Sequence, residues 1–339
     1  MKYRSLGDGG PKVSAIGLGC MGMGGTYGAV DQTEAIKAVH AAIDAGVTLI
    51  DTAECYGPIK VNQDGSSDLF GYENELLVGE ALEGHRDKVV LCTKIGFEHD
   101  GNGRRIGQNA SAAHLKGAVD GCLSRLRTDV IDVLYLHRAD PNVEIEETVG
   151  AMSELVREGK VRFLGLSEAN QEQIDRAGAV HTIVVQQSEY SLWEREVENG
   201  EIEFCRARGI ALVPFAPLGR GFLAGNAKPA ESYPANDYRR LEPRLQKGNY
   251  EANMAIANAV KEMASERGLS PAQLAIAWLV NQDVIPIPGA ERVDWALENA
   301  AAADVELTKD DLKRLDEIAP KGKTAGPRWG GKWAEQIDK

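Results

Sequence analysis

The sequence predicts an α/β chain closed into a (β/α)8 TIM barrel, with an N-terminal β-hairpin plug, a long loop after strand seven, and an extra C-terminal helix and tail. Three observations carry this expectation. Eight short apolar runs alternate with longer amphipathic segments along the whole chain, and strands alternating with helices fold as a parallel sheet. Eight repeats suggest closure rather than an open, doubly wound sheet. Gly17, Gly19, Gly22, Gly24 and Gly25 form a Gly-rich stretch at the first run without the spacing of a dinucleotide fingerprint.

The elements follow in order. Residues 3–6 and 12–14 flank Gly7-Asp8-Gly9-Gly10 and read as a hairpin placed to plug the barrel bottom. The eight candidate strands are residues 15–18, 47–50, 89–93, 131–136, 161–166, 182–185, 210–215 and 284–287, several rich in β-branched residues. Residues 31–45 carry Ala35, Val39, Ala42 and Ile43 at helical spacing, with Gly46 as the stop. Residues 114–126 repeat the pattern with Leu115, Val119, Cys122 and Leu126. The stretch 218–248, rich in Gly, Pro, Asn and Arg, reads as a loop over the barrel mouth. Helices are expected over 250–266, 271–281, 292–302 and 309–318. With no linker in sight, residues 1–339 are expected to form one domain, of which 319–339 is an irregular tail.

Composition limits the partners. The 339 residues carry 38 basic and 51 acidic side chains, a net charge of −13, which argues against nucleic acid or an anionic membrane. Cys20, Cys55, Cys92, Cys122 and Cys205 are scattered without metal-ligand spacing, as expected for reduced thiols in a cytoplasmic protein. Cys55 stands apart because it adjoins Tyr56. The N-terminus lacks a signal-peptide core, and no apolar stretch reaches the roughly 18–20 residues that span a bilayer. The sequence leaves the oligomeric state open.

Polar residues fall where the runs end. Asp51 closes run two, Lys94 run three, His137 run four and Ser167 run five; Gln187 follows run six and Phe215 closes run seven. In a (β/α)8 barrel all strand C-termini meet at the face that holds the active site. Any one of these residues alone would read as a cap or a solvated side chain. Together, with Tyr56 in a Gly-flanked loop after Asp51, they make a coherent site. A phenol is a poor acid at neutral pH, a neighbouring ammonium lowers its pKa, and a carboxylate aims that ammonium. An imidazole opposite donates to a substrate oxygen. The set suits a carbonyl that receives a hydride.

The segments "GVTLIDTAECYG" (46–57), "LCTKIG" (91–96), "DVLYLHRAD" (132–140), "KVRFLGLSEAN" (160–170), "QSEYSLWERE" (187–196) and "VPFAPLGRGFLAG" (213–225) resemble the aldo-keto reductase superfamily, in its bacterial-type subgroup with the "GLSEA" motif. The resemblance implies Tyr56 as general acid or base, with Asp51, Lys94 and His137 completing a catalytic tetrad. It implies an extended nicotinamide dinucleotide, with Ser167 and Gln187 on the carboxamide and Phe215 stacked on the ring. Leu218, Gly219 and Arg220 then meet the pyrophosphate, and Gly289, Arg292, Glu298 and Asn299 the adenosine phosphate. NADP(H) is favoured, with NAD(H) or dual use open, because Glu291 and Trp295 stand where relatives often carry arginines. Glu168 replaces an asparagine common in relatives. The stretch 58–72 looks long and is expected to wall or cover the substrate, and Trp329 and Trp333 in the tail are candidates to shape the pocket.

The implied activity is NAD(P)-dependent reduction of an aldehyde or ketone to an alcohol, or the reverse, on a small-molecule substrate. The alternative is a cofactor-binding regulatory subunit of the potassium-channel β-subunit type. A metal-dependent hydrolase is disfavoured, since of six histidines only His137 clearly ends a strand, so no metal site is expected.

Overall fold

Runs of apolar residues buried on both faces can pair only within a layer covered by helices. The computed structural model, which describes residues 1–63 and 67–330, shows that arrangement. β1 (Tyr3–Ser5) and β2 (Lys12–Ser14) form an antiparallel hairpin with Tyr3 opposite Ser14. Between them Leu6 is fully buried in the barrel interior with Val13, Leu49, Cys92, Val133, Val185 and Val213. The Asp8 amide donates to the Gly209 carbonyl at 2.6 Å. The hairpin therefore closes the barrel floor.

The chain then runs β3 (Leu18–Gly19), α1 (Gln32–Asp44), β4 (Leu49–Asp51), β5 (Ile59–Val61), β6 (Ser67–Leu69), α2 (Glu73–Ala81), β7 (Val90–Ile95), β8 (Phe97–His99), β9 (Arg105–Gln108), α3 (Ala112–Arg125), β10 (Ile131–Leu136), α4 (Ile145–Arg157), β11 (Val161–Ser167), α5 (Gln171–Val180), β12 (Ile183–Glu189), α6 (Glu201–Ala207) and β13 (Ala211–Phe215). It ends with α7 (Asn249–Glu266), α8 (Pro271–Asn281), α9 (Val293–Ala301) and α10 (Lys309–Ile318). Asp31 caps α1 by accepting from the Glu34 amide, and Ser270 caps α8 ahead of Pro271 at its first turn. The parallel sheet runs β3-β4-β7-β10-β11-β12-β13.

The eighth run, 284–287, is not a regular strand, yet it closes the barrel. Ile285 and Ile287 donate to Leu212 and Pro214, while Gly17 and Gly19 donate to the carbonyls of Pro286 and Pro288. Proline has no N–H to return a bond toward β3. Residues 286 and 288 thus accept from β3 without donating, and on the other side Pro214 likewise has no N–H to return to the run.

Two antiparallel hairpins, β5–β6 and β8–β9, stand on the barrel mouth, joined by a bridge between Phe70 and Arg104. The first lies within the long stretch 58–72. The loop 218–248 crosses the mouth in short 3-10 turns and joins the loop after β3, where Tyr27 pairs with Asp237 and the Tyr238 amide donates to Thr26. The tail docks on the same face: Thr324 Oγ1 donates to the Trp193 carbonyl at 2.6 Å and the Ala325 amide to Asn253 Oδ1 at 2.7 Å. Trp333 lies outside the described residues. Among the described residues no helix is long and apolar enough to cross a membrane.

Candidate active site

Parallel pairing sets the heights of the functional side chains. Asp51 pairs with Cys92, Lys94 with Tyr135, and Ser167 with Gln187, so the strand ends present their residues at one level. Lys94 is fully buried. Its Nζ lies 2.5 Å from Asp51 Oδ1, 2.8 Å from the Thr52 carbonyl and 3.2 Å from Tyr56 Oη. Gln187 Nε2 donates to the other Asp51 oxygen at 2.9 Å. The carboxylate is thus held from two sides and the ammonium aimed at the phenol.

The electrostatics refine the sequence expectation. Burial raises Tyr56 and outweighs the lowering by Lys94, so the phenol is pushed up to about 12. The lysine does act on the phenol as expected, but the net shift is upward because the ring sits out of water. Burial pulls Lys94 down, yet Asp51 and Tyr56 opposite raise it above its ordinary value. Burial raises Asp51, offset in part by Lys94. His137 is held well below its ordinary value by burial, then by Arg138 and Lys94, and is neutral.

The His137 ring meets Tyr56 edge-on at 5.7 Å and Phe97 at 5.0 Å between centroids. Its Nδ1 lies 3.4 Å from Cys55 Sγ. Burial pushes the Cys55 thiol up to about 12, so it keeps its proton. Where the thiol donates to Nδ1, the imidazole proton is carried on Nε2. All five cysteines are buried and free, and Cys55 turns its thiol to the His137 ring.

A cavity of about 770 Å³ opens above these groups, within the range of small-molecule and cofactor sites. Asp51, Tyr56 and His137 line one end; Ser167, Gln187, Phe215, Leu218 and Arg220 follow; Gly289, Arg292, Glu298 and Asn299 line the other end. Gly219 is not in the lining; it packs against the Trp193 ring. Arg220 touches the cavity but its guanidinium is committed to Glu189 at 2.9 Å and Glu242 at 3.1 Å. Asn299 Nδ2 donates to the Gly289 carbonyl at 3.1 Å. Arg292 is exposed and paired with Asp294 at 2.9 Å. Glu291 lies over Gly22, where a Cβ would come within 1.7 Å of its Oε1 and push the carboxylate aside. Trp295 lines this end as well.

The structure adds residues the sequence did not single out. Arg105 and Arg138 line the catalytic end with Phe97 and Leu69. Arg138 directly follows His137, and that adjacency was visible. Arg105 arrives on the β8–β9 hairpin, whose residues carry no periodic apolar signal. Arg328 bonds Glu168 and Glu189, which places Trp329 over the cavity 6.5 Å from Phe215. Glu168 is therefore one of the groups that anchor the tail. Among the described residues no group of three His, Cys, Asp or Glu side chains is placed to hold a metal.

A parallel barrel with a Tyr–Lys–Asp–His cluster at its C-terminal mouth defines a barrel oxidoreductase. The sequence model of the Aldo/keto reductase family matches residues 15–320, and the chain belongs to that family. It is 38% identical over 329 residues to probable aldo-keto reductase 1 of Glycine max, covering 96% of this chain and 90% of that protein. It superposes on the glycerol dehydrogenase of Gluconobacter oxydans with a TM-score of 0.80 at 26% identity, covering 95% of each chain. A Klebsiella pneumoniae aldo-keto reductase in complex with NADPH matches with a TM-score of 0.74 at 28% identity, covering 98% of this chain and 100% of that one.

Proposed function

We propose that the protein reduces an aldehyde or ketone to an alcohol with NADP(H), with Tyr56 as the general acid. The observation that carries this reading is the Lys94 ammonium between Asp51 Oδ1 and Tyr56 Oη. The residues present suit a nicotinamide dinucleotide: the cavity runs from the phenol past Ser167, Gln187 and Phe215 to Asn299, and a solved relative holds NADPH. The bound cofactor would supply the hydride to the carbonyl carbon.

The chain's own residues then handle the oxygen. His137 Nε2–H and the Tyr56 hydroxyl both point their donors at it, and Tyr56 gives up its proton as negative charge develops. The phenolate left behind is stabilised by Lys94, whose charge is secured by Asp51. Phe97 and Leu69 exclude water from the reacting end. A phenol held near 12 is protonated at neutral pH, the state that the reductive step requires of its acid.

Cofactor choice rests on the far end. A 2′-phosphate is gripped best by free guanidinium forks. Here Arg292 is already shared with Asp294, and Glu291 stands beside it. We infer use of NADP(H) with weak discrimination against NAD(H). The test is a panel of aldehydes, ketones and alcohols, each run with both cofactors in both redox states, on wild type and Tyr56→Phe. Turnover that depends on Tyr56 supports the assignment; no turnover on any carbonyl, or turnover indifferent to Tyr56, overturns it.

A further inference from the structure

Strand register brings Arg138 to Ser167. Leu136 at the end of β10 pairs with Leu166 of β11, so His137 and Arg138 beyond β10 lie beside Ser167 at the end of β11. Arg138 Nη1 donates to Ser167 Oγ at 3.0 Å and to the His137 carbonyl. Ser167 is buried, and both side chains line the cavity.

A guanidinium carries donors and no acceptor, whereas a hydroxyl is both. Oγ therefore meets Arg138 through a lone pair. Among the described residues nothing accepts the Ser167 proton in return. Its acceptor side is satisfied and its donor side is not, and a buried donor left unmade costs more than a made bond gains. The proton is thus the part of Ser167 that still needs a partner from the cavity. The next strand makes the opposite commitment. Gln187 pairs with Ser167 and gives Nε2 to Asp51 Oδ2 at 2.9 Å. That leaves the Gln187 carbonyl oxygen as the acceptor it offers. One donor beside one acceptor is the complement of a primary carboxamide, which has a carbonyl oxygen and N–H groups.

On the reading that this cavity holds a nicotinamide dinucleotide, we propose that Arg138 is a positioning residue that sets the polarity of Ser167: by occupying a lone pair of Oγ it commits the hydroxyl to donate to the carbonyl oxygen of the cofactor's carboxamide. Without Arg138 the hydroxyl rotates between roles and serves either orientation of the carboxamide. With it, one orientation is matched and the other meets an unpaired donor. Arg138 acts only through Ser167 and touches no reacting atom in this role.

The test titrates wild type and variants with NADP⁺ by tryptophan fluorescence, with two ring analogues alongside. The 3-acetylpyridine analogue keeps the carbonyl oxygen. The thionicotinamide analogue puts sulfur, a weak acceptor, in its place. Arg138→Met should weaken NADP⁺ and the acetylpyridine analogue by about two- to tenfold, the scale of a neutral hydrogen bond, and the thionicotinamide analogue by less. Arg138→Lys, still a donor without an acceptor, should retain most of the affinity. In the Ser167→Ala background Arg138→Met should add little, because the coupling runs through Oγ. Should the Met variant fail to fold, Arg138→Gln carries the comparison: its amide oxygen can take the Ser167 proton, so it should lose affinity where Lys keeps it. An effect of lost charge alone would be equal in both backgrounds and for all three dinucleotides, and would overturn the proposal. So would unchanged NADP⁺ affinity in Arg138→Met. Binding is read without turnover, so the two readings fail separately. If no carbonyl is reduced but the Arg138–Ser167 coupling appears, the activity assignment fails and the positioning role stands. If Tyr56-dependent reduction occurs without that coupling, the positioning role fails alone. If no dinucleotide binds, both fail.

Discussion

The two ends of the cavity are built by different means. At the catalytic end Asp51, Lys94 and Gln187 sit on β4, β7 and β12, locked by ladder register and by hydrogen bonds of 2.5–2.9 Å to one another. Lys94 is wholly out of water. At the far end Arg292 precedes α9, is more than half exposed, and meets a partner two residues away. A buried group bonded on several sides has one conformation, whereas an exposed ion pair contributes little and reorganises freely. The fold thus fixes the Asp51–Lys94–Gln187 cluster and leaves the Arg292 end loosely held. Substitutions at the first end should act on kcat by orders of magnitude, and those at the second should shift relative affinities by less.

The largest effect is expected from Tyr56→Phe. The ring and its packing stay while the donor goes, and positioned acid catalysis contributes about 10²–10⁴-fold. Single-turnover rates should fall by that range with NADPH affinity retained. A variant keeping more than about a tenth of the chemical rate would remove Tyr56 from the mechanism and erase the distinction between the two ends.

Lys94→Met comes next and tests the coupling. Oxidation needs the phenolate, so its rate rises with pH toward the Tyr56 value of about 12. Lys94 lowers that value; its loss pushes the value further up. The basic limb of the oxidation profile should therefore move to higher pH, and oxidation at any lower pH should fall. The same change strands Asp51 in the interior, and breaking a buried pair costs about 3–5 kcal/mol, to be read by urea unfolding. An unmoved profile in a folded variant would sever Lys94 from Tyr56.

Arg292→Ala probes the loose end. NADPH affinity should fall by roughly tenfold, the scale of one charged hydrogen bond, with NADH affinity little changed. Fluorescence titration with both cofactors reads this directly. A wild-type preference for NADPH above about a thousandfold, more than two such bonds supply, would show that other residues read the phosphate.

The smallest effect is expected from Cys55→Ala. Losing the thiol opposite His137 Nδ1 frees the tautomer but removes no reacting group. A neutral hydrogen bond is worth about 0.5–1.5 kcal/mol, so kcat should fall about two- to tenfold with KM little affected. NMR of the imidazole nitrogens should show the proton distribution shifting from Nε2. An unchanged tautomer would remove Cys55 from the positioning of His137.

The barrel itself was legible because side-chain periodicity and strand length recur along the chain. The run 284–287 was legible as an apolar segment, while its missing donations toward β3 follow from Pro286 and Pro288, whose absent N–H groups matter only once neighbours are known. Helix bounds for α8 and α10 coincide with the sequence reading because cap residues mark them locally. The β5–β6 and β8–β9 hairpins were not foreseen, since their residues are held by each other rather than by an apolar pattern. Arg105 was hidden with them.

Sequence alone determined which groups stand at the strand ends, because parallel strands in a barrel must deliver Asp51, Lys94, His137, Ser167 and Gln187 to one face. Tertiary structure decided how those groups behave. Burial, which no local pattern reveals, sets the Tyr56 phenol high despite the lysine beside it. Contacts across more than a hundred residues, such as Arg328 on Glu168 and Glu189, bring Trp329 over the mouth. Such effects depend on what surrounds a side chain in space, and the chain encodes that only through the completed fold.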